Sequence, residues 1–123
     1  MSLRQEQGYQ IEQQACLYLQ ARGFSLLEKN YHCYFGEIDL IMQDQQDIVF
    51  VEVRSRTSIS FGHPLESITP SKINKLAKTA TYFLQKKQWL YKVNSRFDVV
   101  TAQLSAGQWQ FEWLKNAFTV EGW

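Results

Sequence analysis

Three carboxylates and a guanidinium are set into a stretch that otherwise has the make-up of buried strand. In FGEIDLIMQDQQDIVFVEVRSR, residues 35–56, two apolar segments flank the polar turn Gln43-Asp44-Gln45-Gln46. Side chains alternate along a strand with period two. Glu37, Asp39 and Ile41 therefore share one face of the first segment, and Ile38, Leu40 and Met42 the other. In the second segment Val49, Val51 and Val53 share one face and Phe50, Glu52 and Arg54 the other. Asp is disfavoured in strands, and a buried carboxylate is costly unless it is paired or holds a metal. Paired strands lie about 4.8 Å apart, so Asp39 and Glu52 can share one divalent cation. Oxygen-only ligands suit Mg2+ or Mn2+, with several waters left on the ion. Such a water is a usable nucleophile, and the ion offsets charge building on a phosphoryl oxygen. Arg54 falls on the face of Glu52 and can stabilise that charge as well. Together these groups form a kit for hydrolysing a phosphodiester.

The elements that must position this kit can be read from the rest of the chain. Its 123 residues, 45% of them hydrophobic, fit one domain (1–123) with a sizeable core. No apolar run reaches membrane-spanning length, and the first residues lack a signal-peptide core, so a cytoplasmic protein with no membrane partner is expected. Cys16 and Cys33 are not spaced as a CxxC pair and are expected to be free thiols. Charge is segregated along the sequence: residues 1–53 carry a balance of −5, residues 54–96 one of +8, and residues 97–123 one of −2. An acidic group followed by a basic segment suits a metal-dependent enzyme acting on a polyanion, although a solvated basic helix face gives the same pattern.

Residues 3–22 have the period of a helix, with Ile11, Ala15, Tyr18 and Leu19 on its apolar stripe and Gly23 ending it. Glu12 lies at the edge of that stripe, beside Gly8 and Ala15, whose small size would admit a strand; an ordinary surface glutamate fits equally well. A first strand is expected over 24–31, the hairpin strands over 37–42 and 47–55, and a surface loop with His63 over 57–64. Thr69-Pro70 opens a second helix to about Lys87, Thr as N-cap and Pro at the first helical position. Its first turn offers free N–H groups and Lys72 to an anion. Strands over 96–104 and 108–114 complete the pattern as a hairpin. Asp98, between Arg96 and a basic helix, reads as a structural ion pair, and residues 115–123 as a short turn or helix whose Phe118 and Trp123 pack back.

The residues GEIDLI, FVEVRSR, FG-P with the lysine-bearing helix after it, and RFDVV, in that order, resemble the YraN-like family of small bacterial proteins. That family is similar to Holliday-junction resolvases and to the restriction-endonuclease-like PD-(D/E)xK superfamily. The resemblance covers nearly the whole chain, Gly8, Glu12 and Ala15 included. It implies an α/β (α+β) fold with a restriction-endonuclease-like core: a mixed β-sheet flanked by helices in the order α-β-β-β-α-β, plus a C-terminal hairpin strand. By resemblance Asp39 and Glu52 are the two strand carboxylates, Glu12 completes the acidic cluster, and Glu37 is an additional or alternative metal ligand. Arg54 stands where the superfamily pattern has lysine, and arginine, unlike lysine, does not lose its proton.

The first expectation is thus a Mg2+- or Mn2+-dependent endonuclease-like protein acting on DNA, branched or structured DNA included. Asp39, Glu52 and Glu12 would bind metal, Arg54 would contact the scissile phosphate, and Arg56, Lys72 and Lys75 would grip nucleic acid. A homodimer would supply two sites for two strands. A second expectation is a nucleic-acid-binding module that keeps the fold without the chemistry. A third is a protein-interaction domain with an ion-paired acidic core.

Overall fold

The structure is a computed structural model that describes residues 2–56 and 64–120. Helix α1 (Leu3–Gln20) is followed by strands β1 (Ser25–Cys33), β2 (Gly36–Asp44) and β3 (Asp47–Arg56). A 3-10 turn (Pro64–Ser67), helix α2 (Pro70–Lys87) and strands β4 (Ser95–Ser105) and β5 (Gln108–Phe118) complete the chain. The sheet runs in sequence order, β1 to β5. Only β3 and β4 are parallel, and α2 makes the crossover that a parallel pair requires. This mixed sheet flanked by two helices has the element order expected from the sequence.

The two helices cover opposite faces. Ala15, Cys16 and Leu19 of α1 pack on Leu40, Met42, Val49, Val51 and Val100. Leu76, Ala80, Phe83 and Leu84 of α2 pack on Ile38, Ile41, Ile48, Phe50 and Phe97. Strand β3 keeps strict alternation, as a central strand buried on both faces must. Strand β2 does not: Ile38 joins Ile41 on the α2 face, opposite Leu40 and Met42, and not beside them as alternation predicts. The face switch therefore falls around Asp39. Gly36 opens β2 with φ 154° beneath α2, where a Cβ would lie 3.1 Å from Thr79 Oγ1.

The helix starts follow from their caps. Ser2 and Gln5 form a reciprocal capping box on α1, and Thr69 Oγ1 accepts the Lys72 N–H of α2 at 3.2 Å. Helix α1 stops at Gln20, slightly before the expected end, with Gly23 at φ 98° redirecting the chain. The β2–β3 turn is reduced to Gln45-Gln46, with Gln45 at φ 56°. A Cβ on Gly8 would meet open space, so its small size admits no strand there. Residues 115–118 continue β5 and do not turn away; Phe118 stacks on Phe97 at 5.1 Å. Cys16 and Cys33 are free. The 57–63 part of the expected loop, His63 included, and Trp123 lie outside the described residues. Among the described residues no helix is long and apolar enough to cross a membrane.

Candidate functional site

Asp39 sits where β2 parts from β3. Their ladder runs from Asp44↔Asp47 to Leu40↔Val51, while Gly36, Glu37 and Ile38 pair with β1. Beyond that ladder the Val53 N–H donates to Asp39 Oδ2 at 2.8 Å, so the carboxylate takes the place of a strand carbonyl. This bond fixes the Asp39 side chain in the gap between the strands.

Glu52, one residue before that N–H, is 5% exposed. Arg54 Nη2 donates to its Oε2 at 2.5 Å, and Lys72 Nζ lies 3.7 Å from the same oxygen. Lys72 reaches it from the first turn of α2, where Thr69 caps its backbone N–H. From the other side of the sheet, half-buried Glu12 of α1 faces the Asp39 carboxylate, with Asn30 nearby. Both helices thus meet the strand carboxylates at one gap in the sheet.

The electrostatics are unbalanced. Burial pushes the Glu52 carboxyl up, and the Asp39 charge and hydrogen bond add to it; Arg54 and Lys72 pull it down only in part, leaving it at about 8. Burial likewise raises Glu12, to about 7, with Asp39 and Glu37 adding and Asn30 opposing. Near neutrality the group therefore retains protons that an entering cation would displace.

Of the other expected residues, Glu37 is exposed and lines a cleft of about 300 Å3 together with Gly36, Ser71, Lys72 and Lys75. Arg56 closes β3; its Nε and that of Arg54 are buried without a hydrogen-bond partner among the described residues. Asp98 accepts from Arg96 Nε at 3.0 Å and lies outside the group, as an ion pair should. Asn30 was not expected. Its signal in the sequence is a polar, left-handed-tolerant residue inside a strand, and its φ is 50°. Among the described residues no three His, Cys, Asp or Glu side chains are grouped so as to hold a metal ion, the expected set Asp39, Glu52 and Glu12 included. Mg2+ needs only one or two carboxylates and keeps its waters, a number that Asp39 and Glu52 supply.

Fold and site together define a small α/β protein with an acidic group in a gap of its sheet and cations arrayed beside it. Residues 11–102 match the family described as "Uncharacterised protein family UPF0102". The chain is 47% identical over 116 residues to a UPF0102 protein of Nitrosococcus oceani, with 94% of each chain covered. It is 47% identical over 120 residues to one of Coxiella burnetii, covering 98% of each. With the protein lpg2994 of Legionella pneumophila it shares 43% identity, over 94% of this chain and 97% of that one. The chain belongs to the UPF0102, or YraN, family.

Proposed function

We propose that this protein is a divalent-metal-dependent nuclease-like protein that hydrolyses phosphodiester bonds in DNA, branched or structured DNA included. The observation that carries this reading is the placement of Asp39 in the β2–β3 gap beside Glu52, with Arg54 and Lys72 converging on Glu52. Asp39 and Glu52 hold Mg2+ or Mn2+, and Glu12 and Glu37 add negative charge around them. The ion, when bound, supplies an activated water and offsets charge on the phosphoryl oxygen. Arg54 and Lys72 turn from Glu52 to the scissile phosphate. Arg56 and Lys75 take flanking phosphates. Glu12, raised toward neutrality, is suited to hold or pass a proton at the edge of the site. Cutting both strands of a duplex at one locus needs two such sites, hence a homodimer.

A second reading, a nucleic-acid-binding module without chemistry, is favoured by one observation. Arg54 cannot act as a base and is already engaged by Glu52. Mn2+ titration calorimetry of wild type beside Asp39→Asn separates the two. The nuclease reading requires binding in the wild type and its loss in the variant. Absence of Mn2+ binding to either protein, with salt-sensitive DNA binding intact, would turn the assignment to the binding module. Glu52→Gln should then keep the fold and lower metal-dependent cleavage at least about 100-fold, the scale of removing one charge-stabilising group; wild-type cleavage by that variant sinks the role of Glu52.

A further inference from the structure

The β1–β2 hairpin ends in two aromatic residues that the core does not use. Tyr34 is 96% exposed and Phe35 42%. Their rings meet edge to face at 5.5 Å, and Phe35 in turn meets Tyr82 of α2 at 6.1 Å. Beneath them a groove of about 250 Å3 is lined by Phe35, Ala77, Lys78, Thr81, Tyr82 and Gln85. Lys86 Nζ stands 5.6 Å from the Tyr82 ring centre. This groove adjoins the cleft at Lys72 and Lys75, because Phe35 precedes Gly36, which lines that cleft.

Lys72, Lys75, Lys78, Tyr82 and Lys86 follow one another at three- and four-residue spacing and so share one side of α2. The helix has no acidic residue. The ten residue steps of helix from Lys72 to Tyr82 span about 15 Å. That is the length of about four stacked nucleotides at 3.4 Å each. A line of ammonium groups ending at exposed rings matches a strand of phosphates carrying accessible bases, since every base has a face for stacking. An apolar protein segment would leave the lysines without partners, and a paired duplex would leave the rings without bases.

We infer that this side of α2 and the Tyr34-Phe35 tip form a subsite for an unpaired nucleic-acid strand, which runs from the acidic group along the lysines to a base stacked on the tip. The inference rests on the nuclease-like reading and deepens it: the favoured substrate has a single-stranded segment beside the bond to be cut. It is tested by fluorescence anisotropy in chelator, with one labelled oligonucleotide offered as single strand, forked duplex and blunt duplex. Wild type should prefer the single strand and the fork. The Tyr34→Ala/Phe35→Ala double variant should bind both about tenfold more weakly and the blunt duplex unchanged. Tyr34→Phe, which keeps the ring, should bind as wild type. The subsite is overturned if the double variant retains the fork preference, if wild type binds blunt duplex as tightly as fork, or if no form binds. It is also overturned if the double variant merely dissociates a homodimer in sedimentation. Tyr34→Ala alone, at a fully exposed position, keeps the test open should the double variant not fold. Mn2+ calorimetry on the same preparations reads the metal site separately: binding lost in wild type with fork preference intact removes the cleavage reading and leaves the subsite.

Discussion

Two sets of carboxylates flank strand β3, and the molecule treats them in opposite ways. At its start Asp44, Asp47 and Asp98 share one guanidinium: Arg96 donates from Nη2 at 2.8 Å, Nη1 at 2.9 Å and Nε at 3.0 Å. Asp98, with no exposure, also accepts from Trp113 Nε1 and from the Asn116 N–H, each at 2.9 Å. Burial works against the Arg96 charge, but hydrogen bonds to Asp98 and Asp44 more than offset it, and its pKa rises. Toward the other end, about 15 Å along the strand, Glu12, Asp39 and Glu52 crowd one another. Among the described residues Arg54 and Lys72 form ion pairs with Glu52 and with no other acid. The first set is satisfied by folding itself, and the second is left short of positive charge. In-strand acids suggest a functional group of charges only where the fold withholds their partners; their presence alone marks nothing.

The sharpest way to break this comparison is to remove a charge from each set. Arg96→Leu strands a fully buried Asp98 and two further aspartates, and should cost about 3–5 kcal/mol. For a chain of this size the melting temperature falls by more than about 10 °C. Glu52→Gln, in chelator, removes an acid that its neighbours disfavour and should leave stability unchanged or higher. Urea denaturation of both variants decides: equal costs would mean that the two acidic sets are the same kind of core network.

The second test uses pH. Glu12 and Glu52 are raised above 4.5, to about 7 and about 8, chiefly by burial. A raised carboxyl binds its proton more tightly folded than unfolded. Its contribution is fully present below pH 4.5 and is lost as pH rises through the folded values. Metal-free protein should therefore lose stability between about pH 5 and 8.5, with buried Glu52 supplying more of the loss than half-buried Glu12, whose share solvent screens. In Glu52→Gln the larger part of that slope disappears. A profile that rises with pH, or one unchanged by the substitution, contradicts the electrostatics assigned to the gap.

Local chemistry made much of this legible in advance. Thr69-Pro70 placed the start of α2, alternation placed Glu52 and Arg54 on one face, and the pair Arg96 and Asp98 read as structural. What stayed hidden depends on contacts distant in sequence. Asp44 and Asp47 look like turn residues, and only folding brings Arg96, 52 and 49 positions later, onto them. The face switch of Ile38 falls where β2 has not yet joined β3, before Leu40, an event that period-two counting cannot register. Strand β5 outruns its apolar pattern because the Asn116 N–H bonds Asp98 and Phe118 stacks on Phe97, both across a register shift at Phe97/Val99.

The finest distinction is whether Asp98 depends on Arg96 alone or on several donors. Trp113 carries one of them and meets Phe24 edge to face at 5.3 Å. Trp113→Phe keeps an aromatic edge for Phe24 and deletes the indole N–H, while Arg96 Nε and the Asn116 N–H continue to serve Asp98. A buried carboxylate that loses one of three charge-assisted donors should cost about 1–2 kcal/mol, well short of Arg96→Leu. Because the two acidic sets lie far apart and share no partner, the cost should add to that of Glu52→Gln within about 0.5 kcal/mol. Urea denaturation of the two single variants and the double variant measures both quantities. A larger coupling would mean that strand β3 transmits strain between the sets and that the satisfied end helps to hold the unsatisfied one open. Additivity would mean that the gap at Asp39 is maintained locally, by the Val53 N–H and the start of α2.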